Sequence, residues 1–195
     1  MQLVFATHNK NKAKEIQSIV PNGIQIVTLD DLNCAEDIPE TENTLEGNAR
    51  LKSQFVVDKF KLNCFADDTG LEIEALNGEP GVYSARYAGE SCDAERNMQR
   101  VLDNLSEMEN RNAQFRTVIS LFWEGETYLF EGVVKGRIVE ERRGNDGFGY
   151  DPIFEPENCG KTFAEMDLVE KNTLSHRSRA LKKMVEFLQN QNFFS

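Results

Sequence analysis

Residues 3–29, LVFATHNKNKAKEIQSIVPNGIQIVTL, decide the fold class of this chain. The segment opens with a short apolar run that predicts a buried strand, and from Lys12 onward the apolar residues recur at helical spacing. Pro21-Asn22-Gly23 ends the predicted helix, and residues 24–29 alternate as a second strand. The order strand, helix, strand predicts a β-α-β unit, and hence an α/β fold.

The rest of the chain continues this mixture of periodicities. The patterns predict helices over roughly 44–60, 93–105 and 176–190, and strands over 62–66, 115–123 and 128–139. We expect the strand at 62–66 to end in a turn at Asp67-Asp68-Thr69-Gly70, because Asp and Gly favour turns. No internal repeat or Pro-rich linker interrupts the sequence, so we interpret residues 1–195 as a single domain with a mixed sheet.

Composition restricts the partners of the protein. The formal net charge of -11 argues against general binding to nucleic acids or anionic membranes, since both need a basic surface. Four cysteines without a CxxC pair, together with only two histidines, disfavour a structural zinc site. The N-terminus turns polar after six residues, too early for a signal peptide or a membrane span. We therefore expect a cytoplasmic protein with reduced thiols.

The loop between the first strand and the first helix is the first candidate site. It reads Thr7-His8-Asn9-Lys10-Asn11-Lys12. Ligands of α/β proteins commonly bind at such strand-to-helix loops, and a helix N-terminus attracts phosphate through its free N–H groups. The lysines add positive charge, but the glycine-rich Walker pattern is absent. Taken alone, the segment is equally consistent with a solvated helix start.

Acidic residues form the second candidate. Glu40 lies in an acidic stretch, and Asp67 and Asp68 follow a predicted strand. Mg²⁺ commonly binds to one or two carboxylates together with substrate phosphates and waters. Adjacent aspartates at a strand end can also place one side chain in a site and the other against the scaffold. The alternative is a turn that uses Asp and Gly for backbone reasons alone.

Two further segments suggest recognition of a planar ligand. In Ser175-His176-Arg177, the serine is a candidate helix N-cap, and the other two side chains can donate to or stack on a nucleobase. In the stretch 147–154, GFGYDPIF, glycines beside aromatic residues permit close approach to a flat ligand. A surface helix start and a self-packed loop are the structural alternatives.

In their order along the chain, these segments resemble the inosine triphosphate pyrophosphatase family, whose members act on non-canonical purine nucleotides such as dITP and XTP. The resemblance runs nearly end to end. It is carried by Thr7-x-Asn9-x-x-Lys12, Glu40, Asn48-Ala49-x-x-Lys52, residues 66–71 (ADDTGL), residues 80–87 (PGVYSARY), residues 147–154 and Ser175-His176-Arg177. One departure is Gly47, where many relatives carry a glutamate, and Glu42 or Glu46 can stand in for it.

The resemblance implies a role for each matching residue. Asp68 is the expected proton acceptor for the attacking water, and Glu40 and Asp68 are the expected ligands of Mg²⁺. The implied substrate-binding residues are Thr7, His8, Asn9, Lys10, Asn11, Lys12, Lys52, Thr69, Phe148, Gly149, Tyr150, Asp151, Lys171, His176 and Arg177. The family also implies a long mixed sheet with flanking helices, two lobes around a central cleft, and a homodimer.

The expected reaction is hydrolysis of a purine nucleoside triphosphate, such as ITP, dITP or XTP, to the monophosphate and pyrophosphate. Hypoxanthine and xanthine carry an acceptor oxygen at position 6, which His176 or Arg177 can meet as donors, whereas adenine presents an amino group there. The sequence leaves three alternatives open: a pyrophosphatase for pyrimidine or other modified nucleotides, a nucleotide sensor without turnover, and an acidic interaction protein.

Overall fold

The computed structural model describes residues 2–190. The strands are β1 (Gln2–Phe5), β2 (Gln25–Thr28), β3 (Cys64–Ile73), β4 (Pro80–Gly81), β5 (Asn112–Trp123), β6 (Glu126–Ile138) and β7 (Phe154–Pro156). The helices are α1 (Lys10–Ile19), α2 (Leu45–Phe60), α3 (Ala94–Asn104), α4 (Leu168–Leu174) and α5 (His176–Asn190). Within the described residues, no helix is both long enough and apolar enough to cross a membrane.

The strands form one mixed sheet in the order β2-β1-β3-β5-β6-β7, with β4 paired to β3. Strand β1 is parallel to both β2 and β3, whereas β4 is antiparallel to β3 and β7 is antiparallel to β6. The β1-α1-β2 unit and the mixed α/β sheet expected from the sequence are therefore confirmed. Helix α4 was not predicted, because its seven residues are too few to show a clear periodicity.

The predicted turn at Asp67-Asp68-Thr69-Gly70 is wrong, since β3 runs through it to Ile73. Gly70 allows this continuation because an added Cβ would lie 2.7 Å from the carbonyl oxygen of Gly81 in the adjacent β4. Glycine was therefore selected here by the close approach of another strand, and no turn is needed to explain it.

The described chain divides into two compact units. The first unit comprises residues 2–68, 117–132 and 177–190, and the second comprises residues 69–116 and 133–176. Strands β3, β5 and β6 each contribute residues to both units. The two lobes around a cleft that the family resemblance implied stay a prediction.

The first unit buries apolar side chains on both faces of its strands. On one face, Phe5 and Phe65 stack with ring centroids 4.5 Å apart and pack with residues of α1 and α5. On the other face, Cys64 and Ala66 pack with Val56 of α2. Because successive side chains of a strand point to opposite faces, these contacts fix the face to which each later residue of β3 points.

The second unit has a single apolar core. It combines aliphatic and aromatic side chains, and Phe115 meets Phe154 edge to face with ring centroids 4.7 Å apart. Helix α3 begins at the N-cap Asp93, whose side chain accepts hydrogen bonds from two backbone N–H groups, and it buries Met98 and Val101 in this core. The predicted amphipathic helix at 93–105 is thereby confirmed.

Candidate functional site

The loop between β1 and α1 is ordered by its own polar side chains. Asn9 is the N-cap of α1, and its side chain accepts hydrogen bonds from the backbone N–H groups of Asn11 and Lys12 at 3.0 and 3.1 Å. Thr7 accepts a bond from the Asn9 N–H at 3.1 Å. Helix α1 has no acidic residue in its first turn, where Lys10 and Lys12 lie. This helix start therefore suits an anion.

His8 fixes the same loop to the segment that follows β2. Its Nδ1 lies 2.7 Å from Asp30 Oδ1, and its Nε2 lies 3.0 Å from the carbonyl oxygen of Glu36. The hydrogen bond to the Asp30 carboxylate, aided by the carbonyl of Glu36, raises the pKa of His8 above its ordinary 6.5. The side chain of His8 therefore ties this loop to the segment that follows β2.

Asp67 and Asp68 lie beside this loop but on opposite faces of β3. Phe5 at the end of β1 pairs with Phe65, so the two aspartates come just past the carboxyl end of β1. By strand alternation, Asp67 shares a face with Phe65, which packs with α1 and α5. Asp68 shares a face with Ala66, which packs with α2. The two neighbouring carboxylates consequently have different partners.

The α2 side holds a cluster of two carboxylates and one ammonium, which we call the metal-side cluster. Lys52 Nζ donates to Glu40 Oε1 at 2.7 Å and to Asp68 Oδ1 at 2.9 Å. Asn48, one helical turn before Lys52, donates to Asp68 Oδ2 at 3.2 Å and accepts a bond from the backbone N–H of Glu42. Helix α2 thus presents both side chains to the acids from one face.

Burial and the neighbouring charges shift the pKa values of the two acids of this cluster in opposite directions. Burial raises the pKa of Asp68, Lys52 lowers it, and Glu40 raises it again, so the pKa of Asp68 lies above its usual value. Burial also raises the pKa of Glu40, but Lys52 outweighs this effect and the pKa of Glu40 falls. The surroundings therefore favour the protonated form of Asp68 and the ionised form of Glu40.

The donor set of this cluster fits Mg²⁺. The described residues contain no group of three or more His, Cys, Asp or Glu side chains arranged to hold a metal. Mg²⁺ does not need such a cage, since it commonly takes one or two carboxylates and fills its remaining positions with phosphate and water oxygens. Glu40 and Asp68 supply two carboxylates against the single positive charge of Lys52. These three groups therefore leave a net negative charge, which favours a bound cation.

The opposite face of β3 holds a second cluster, which we call the neutral cluster. Asp67 Oδ1 accepts from Lys12 Nζ at 2.9 Å, and Asp67 Oδ2 accepts from Arg177 Nε at 3.1 Å. Arg177 also donates through Nη1 to Glu15. Burial raises the pKa of Asp67, but the charges of Lys12, Arg177 and Lys52 outweigh it and hold the pKa well below its usual range. The four side chains thus form a chain of contacts in which basic and acidic groups alternate: Lys12, Asp67, Arg177 and Glu15.

Gly47 permits a close contact at the start of α2. A Cβ at this position would lie 2.7 Å from the Cβ of Glu42, so the side chain of Glu42 packs where a glutamate at 47 would begin. That Glu42 or Glu46 stands in for the glutamate of the relatives stays a prediction. The backbone of Glu42 is fixed by Asn48, as described above.

In the second unit, Asp151 organises the glycine-rich loop. Its Oδ2 accepts from the Phe148 N–H at 2.7 Å and from Lys171 Nζ at 2.8 Å. Gly147 has a φ of 77°, and a Cβ there would lie 2.2 Å from Asp151 Oδ2, so only glycine leaves room for this carboxylate. The Lys171 ammonium also lies 4.8 Å from the centroid of the Phe148 ring. Sequence positions 147–151 and 171 thus form one group.

Other predicted residues of the second unit have structural neighbours. Tyr150 is buried and donates through its hydroxyl to the Ser84 carbonyl at 2.7 Å. His176 is buried and stacks on Phe115, with ring centroids 4.6 Å apart. Thr69 and Phe148 are half-buried, and Gly149 follows Phe148 with a φ of 63°. Phe148 therefore keeps aromatic surface for a planar ligand, whereas the Tyr150 phenol anchors the loop.

The structure thus gathers the predicted residues into two groups. The first unit contains Thr7, His8, Asn9, Lys10, Asn11, Lys12, Glu40, Lys52, Asp68 and Arg177, and the second contains Thr69, Phe148, Gly149, Tyr150, Asp151, Lys171 and His176. Their roles toward a substrate stay predictions. The sequence patterns did not single out Glu15, and they gave Asp67 only the general alternative of facing the scaffold. The signal for Glu15 was its position three residues after Lys12, on the same face of α1.

Comparison with known proteins identifies the family. The Ham1 family model matches residues 3–187. The dITP/XTP pyrophosphatase of Flavobacterium johnsoniae is 57% identical over 188 residues, covering 96% of this chain and 98% of the relative. That of Bacillus subtilis is 45% identical over 192 residues, covering 96% of this chain and 97% of the relative.

Solved structures agree with the sequence relatives. The Ham1 protein of Staphylococcus aureus superposes with a TM-score of 0.88 at 39% identity, covering 98% of this chain and all 100% of that one. A HAM1 protein from Coxiella burnetii gives a TM-score of 0.89 at 36% identity, covering 97% of this chain and 99% of that one. With a family model that spans nearly its whole length and relatives of this similarity, the chain belongs to the Ham1 family.

Proposed function

We propose that this protein is a hydrolase that converts non-canonical purine nucleoside triphosphates, among them ITP, dITP and XTP, to the monophosphate and pyrophosphate with the help of Mg²⁺. The observation that carries the proposal is the metal-side cluster, in which Lys52 pairs with both Glu40 and Asp68, so that two carboxylates meet one ammonium. It lies in the same unit as a lysine-bearing helix start suited to phosphate. The relatives named dITP/XTP pyrophosphatases support the choice of substrate.

Each part of the first unit has a task in this reaction. Water attacks the α-phosphorus, the bond from phosphorus to the α–β bridging oxygen breaks, and pyrophosphate leaves. Lys12, Lys52 and the positive end of the α1 dipole bind the phosphates. The Asp68 carboxylate accepts the proton of the attacking water, for which its raised pKa suits it. Mg²⁺ held by Glu40 and Asp68 would neutralise charge on the phosphate oxygens.

Base recognition is the proposed task of the second unit, together with Arg177. The half-buried Phe148 ring offers a surface for stacking on the purine, and the Asp151–Lys171 pair holds that loop in shape. Donors from His176 and Arg177 would meet the 6-oxygen of hypoxanthine or xanthine. The amino group of adenine would leave a donor facing a donor, which is worth on the order of 10⁴ in discrimination at a dry site.

Two further proposals concern the setting of the protein. We propose a homodimer, which the family resemblance implies and for which the half-exposed Tyr83 ring offers apolar surface. We also propose a cytoplasmic location, because the triphosphate substrates belong to the free nucleotide pool.

The deciding experiment measures pyrophosphate release from ITP, XTP, dITP, GTP, ATP and dUTP, with Mg²⁺ and with chelator. We expect release from ITP, XTP and dITP far above the other three, and its loss with chelator. Because guanine shares the 6-oxygen, exclusion of GTP must arise at its 2-amino group and not at His176 or Arg177. The control is Asp68→Asn purified in the same way, which separates this activity from a contaminating phosphatase. Binding of ITP without release of pyrophosphate would instead identify a nucleotide sensor, and fast hydrolysis of dUTP would identify a pyrimidine enzyme.

A further inference from the structure

Lys12 is held in place by one buried carboxylate. Asp67 is 2% exposed and receives the Lys12 ammonium on Oδ1 at 2.9 Å, while its Oδ2 receives Arg177. Lys10, in the same helical turn, is exposed instead. A lysine side chain has many rotamers, so an ammonium without a fixed partner samples a wide volume. The contact with Asp67 removes that freedom before any ligand arrives.

Arg177 and Glu15 fix Asp67 in turn. Arg177 donates from Nε to Asp67 and from Nη1 to Glu15, so the guanidinium joins β3 to α1. A guanidinium holds its donors in a rigid plane, and this orients the carboxylate that it meets. The second oxygen of Asp67 is thereby directed to Lys12. Because the four charges sum to zero, the cluster can stay buried without a further ion.

We propose that Asp67 is a positioning residue for triphosphate binding, which holds the Lys12 ammonium in place for the phosphates while its neighbour Asp68 serves the chemical step. This inference rests on the proposed function, since it takes Lys12 as a phosphate ligand. Asp67 then acts through Lys12 and does not touch the substrate itself.

Electrostatics alone predicts the opposite effect, and this makes the proposal testable. Removing the negative charge of Asp67 from the surroundings of an anion site would tighten anion binding by simple Coulomb attraction. Loss of positioning would weaken anion binding, because the Lys12 side chain would then lose its conformational freedom only when the anion binds, and this entropy cost reduces the affinity. The sign of the change therefore separates the two effects.

The experiment is a double-mutant cycle on Asp67→Asn and Lys12→Met, read by calorimetric Kd for inorganic tripolyphosphate. We expect Lys12→Met to raise Kd roughly 10- to 100-fold, the range for a hydrogen bond to a charged group. Asp67→Asn should raise it about tenfold, and the double variant should bind no more weakly than Lys12→Met alone. In turnover of ITP, Asp67→Asn should raise KM and change kcat little.

Glu15→Gln is the matched control. It disturbs the same buried cluster at Arg177 and leaves the Asp67 carboxylate that holds Lys12 in place, so it should change the Kd for tripolyphosphate much less than Asp67→Asn does. If Asp67→Asn fails to fold, Asp67→Glu keeps the charge and shifts the ammonium, and we expect a smaller rise in Kd.

Three results would overturn the proposal. They are an unchanged or lowered Kd in Asp67→Asn (or in Asp67→Glu, if that variant has to replace it), an equal rise in Glu15→Gln, and a further rise when Asp67→Asn is added to Lys12→Met. Because tripolyphosphate binding needs no turnover, an absence of ITP hydrolysis would count against the proposed function and leave this test intact.

Discussion

The metal-side cluster and the neutral cluster start from adjacent residues of β3 but differ by one charge. Asp68 and Glu40 form ion pairs with Lys52, whereas Asp67 pairs with both Lys12 and Arg177, and Glu15 pairs with Arg177. A buried group with an excess of negative charge suits a cation and a proton, while a balanced one suits a fixed scaffold. Neighbouring aspartates can therefore differ in role, because successive side chains of a strand point to opposite faces of the sheet.

The largest expected effect tests the metal-side cluster. Asp68→Asn should lower kcat for ITP by about 10²–10⁴, the usual loss on removing a general base. KM should change little, since Lys52 and the start of α1 still bind the phosphates. Steady-state kinetics with saturating Mg²⁺ measures both constants. A variant that retains nearly full kcat would remove Asp68 from the role of base and erase the difference between the clusters.

The second-largest expected effect tests the neutral cluster by removing the guanidinium of Arg177. Arg177→Ala should lower the free energy of unfolding by about 3–5 kcal/mol, because it leaves Asp67 and Glu15 buried without this partner. Urea unfolding measures this loss. Arg177→Lys, which keeps the charge, is the control and should lose less.

The same variant also tests base reading. If Arg177 contacts the 6-oxygen of the base, activity of Arg177→Ala on ITP should fall more than activity on ATP. A proportional loss on both nucleotides would assign Arg177 to the cluster alone.

The smallest effect concerns His8, whose partner Asp30 lies at the surface. Asp30→Asn should lower the pKa of His8 back toward 6.5, and an NMR titration can follow it beside the other histidine, His176. A raised folded-state pKa stabilises the protein fully below the unfolded pKa, and this contribution is lost as pH rises through the folded value. The stability difference between wild type and variant should therefore shrink from about pH 6 toward alkaline pH. A His8 pKa that is equal in the wild type and in Asp30→Asn would show that Asp30 does not stabilise the protonated imidazole of His8.

Local patterns predicted most of the elements. Helix α2 was expected from Thr44 to Phe60 and runs from Leu45 to Phe60, with Thr44 as its N-cap. That agreement has a short-range cause, since a helix cap and a periodic apolar face both depend on residues that are close together in the sequence. The failure at Asp67-Asp68-Thr69-Gly70 has a long-range cause. The composition favours a turn, but pairing of Leu71 with Gly81 in β4 keeps the backbone extended.

The sequence by itself determined the order of strands and helices, the family, and the set of polar residues from which a site can be built. Only the tertiary structure decided which acid meets which base. Lys12 and Asp67 lie 55 positions apart, and Asp67 and Arg177 lie 110 apart. No periodicity reaches over such separations. The partners follow from the strand register of β1 and β3 and from the packing of α1, α2 and α5 on opposite faces of these strands.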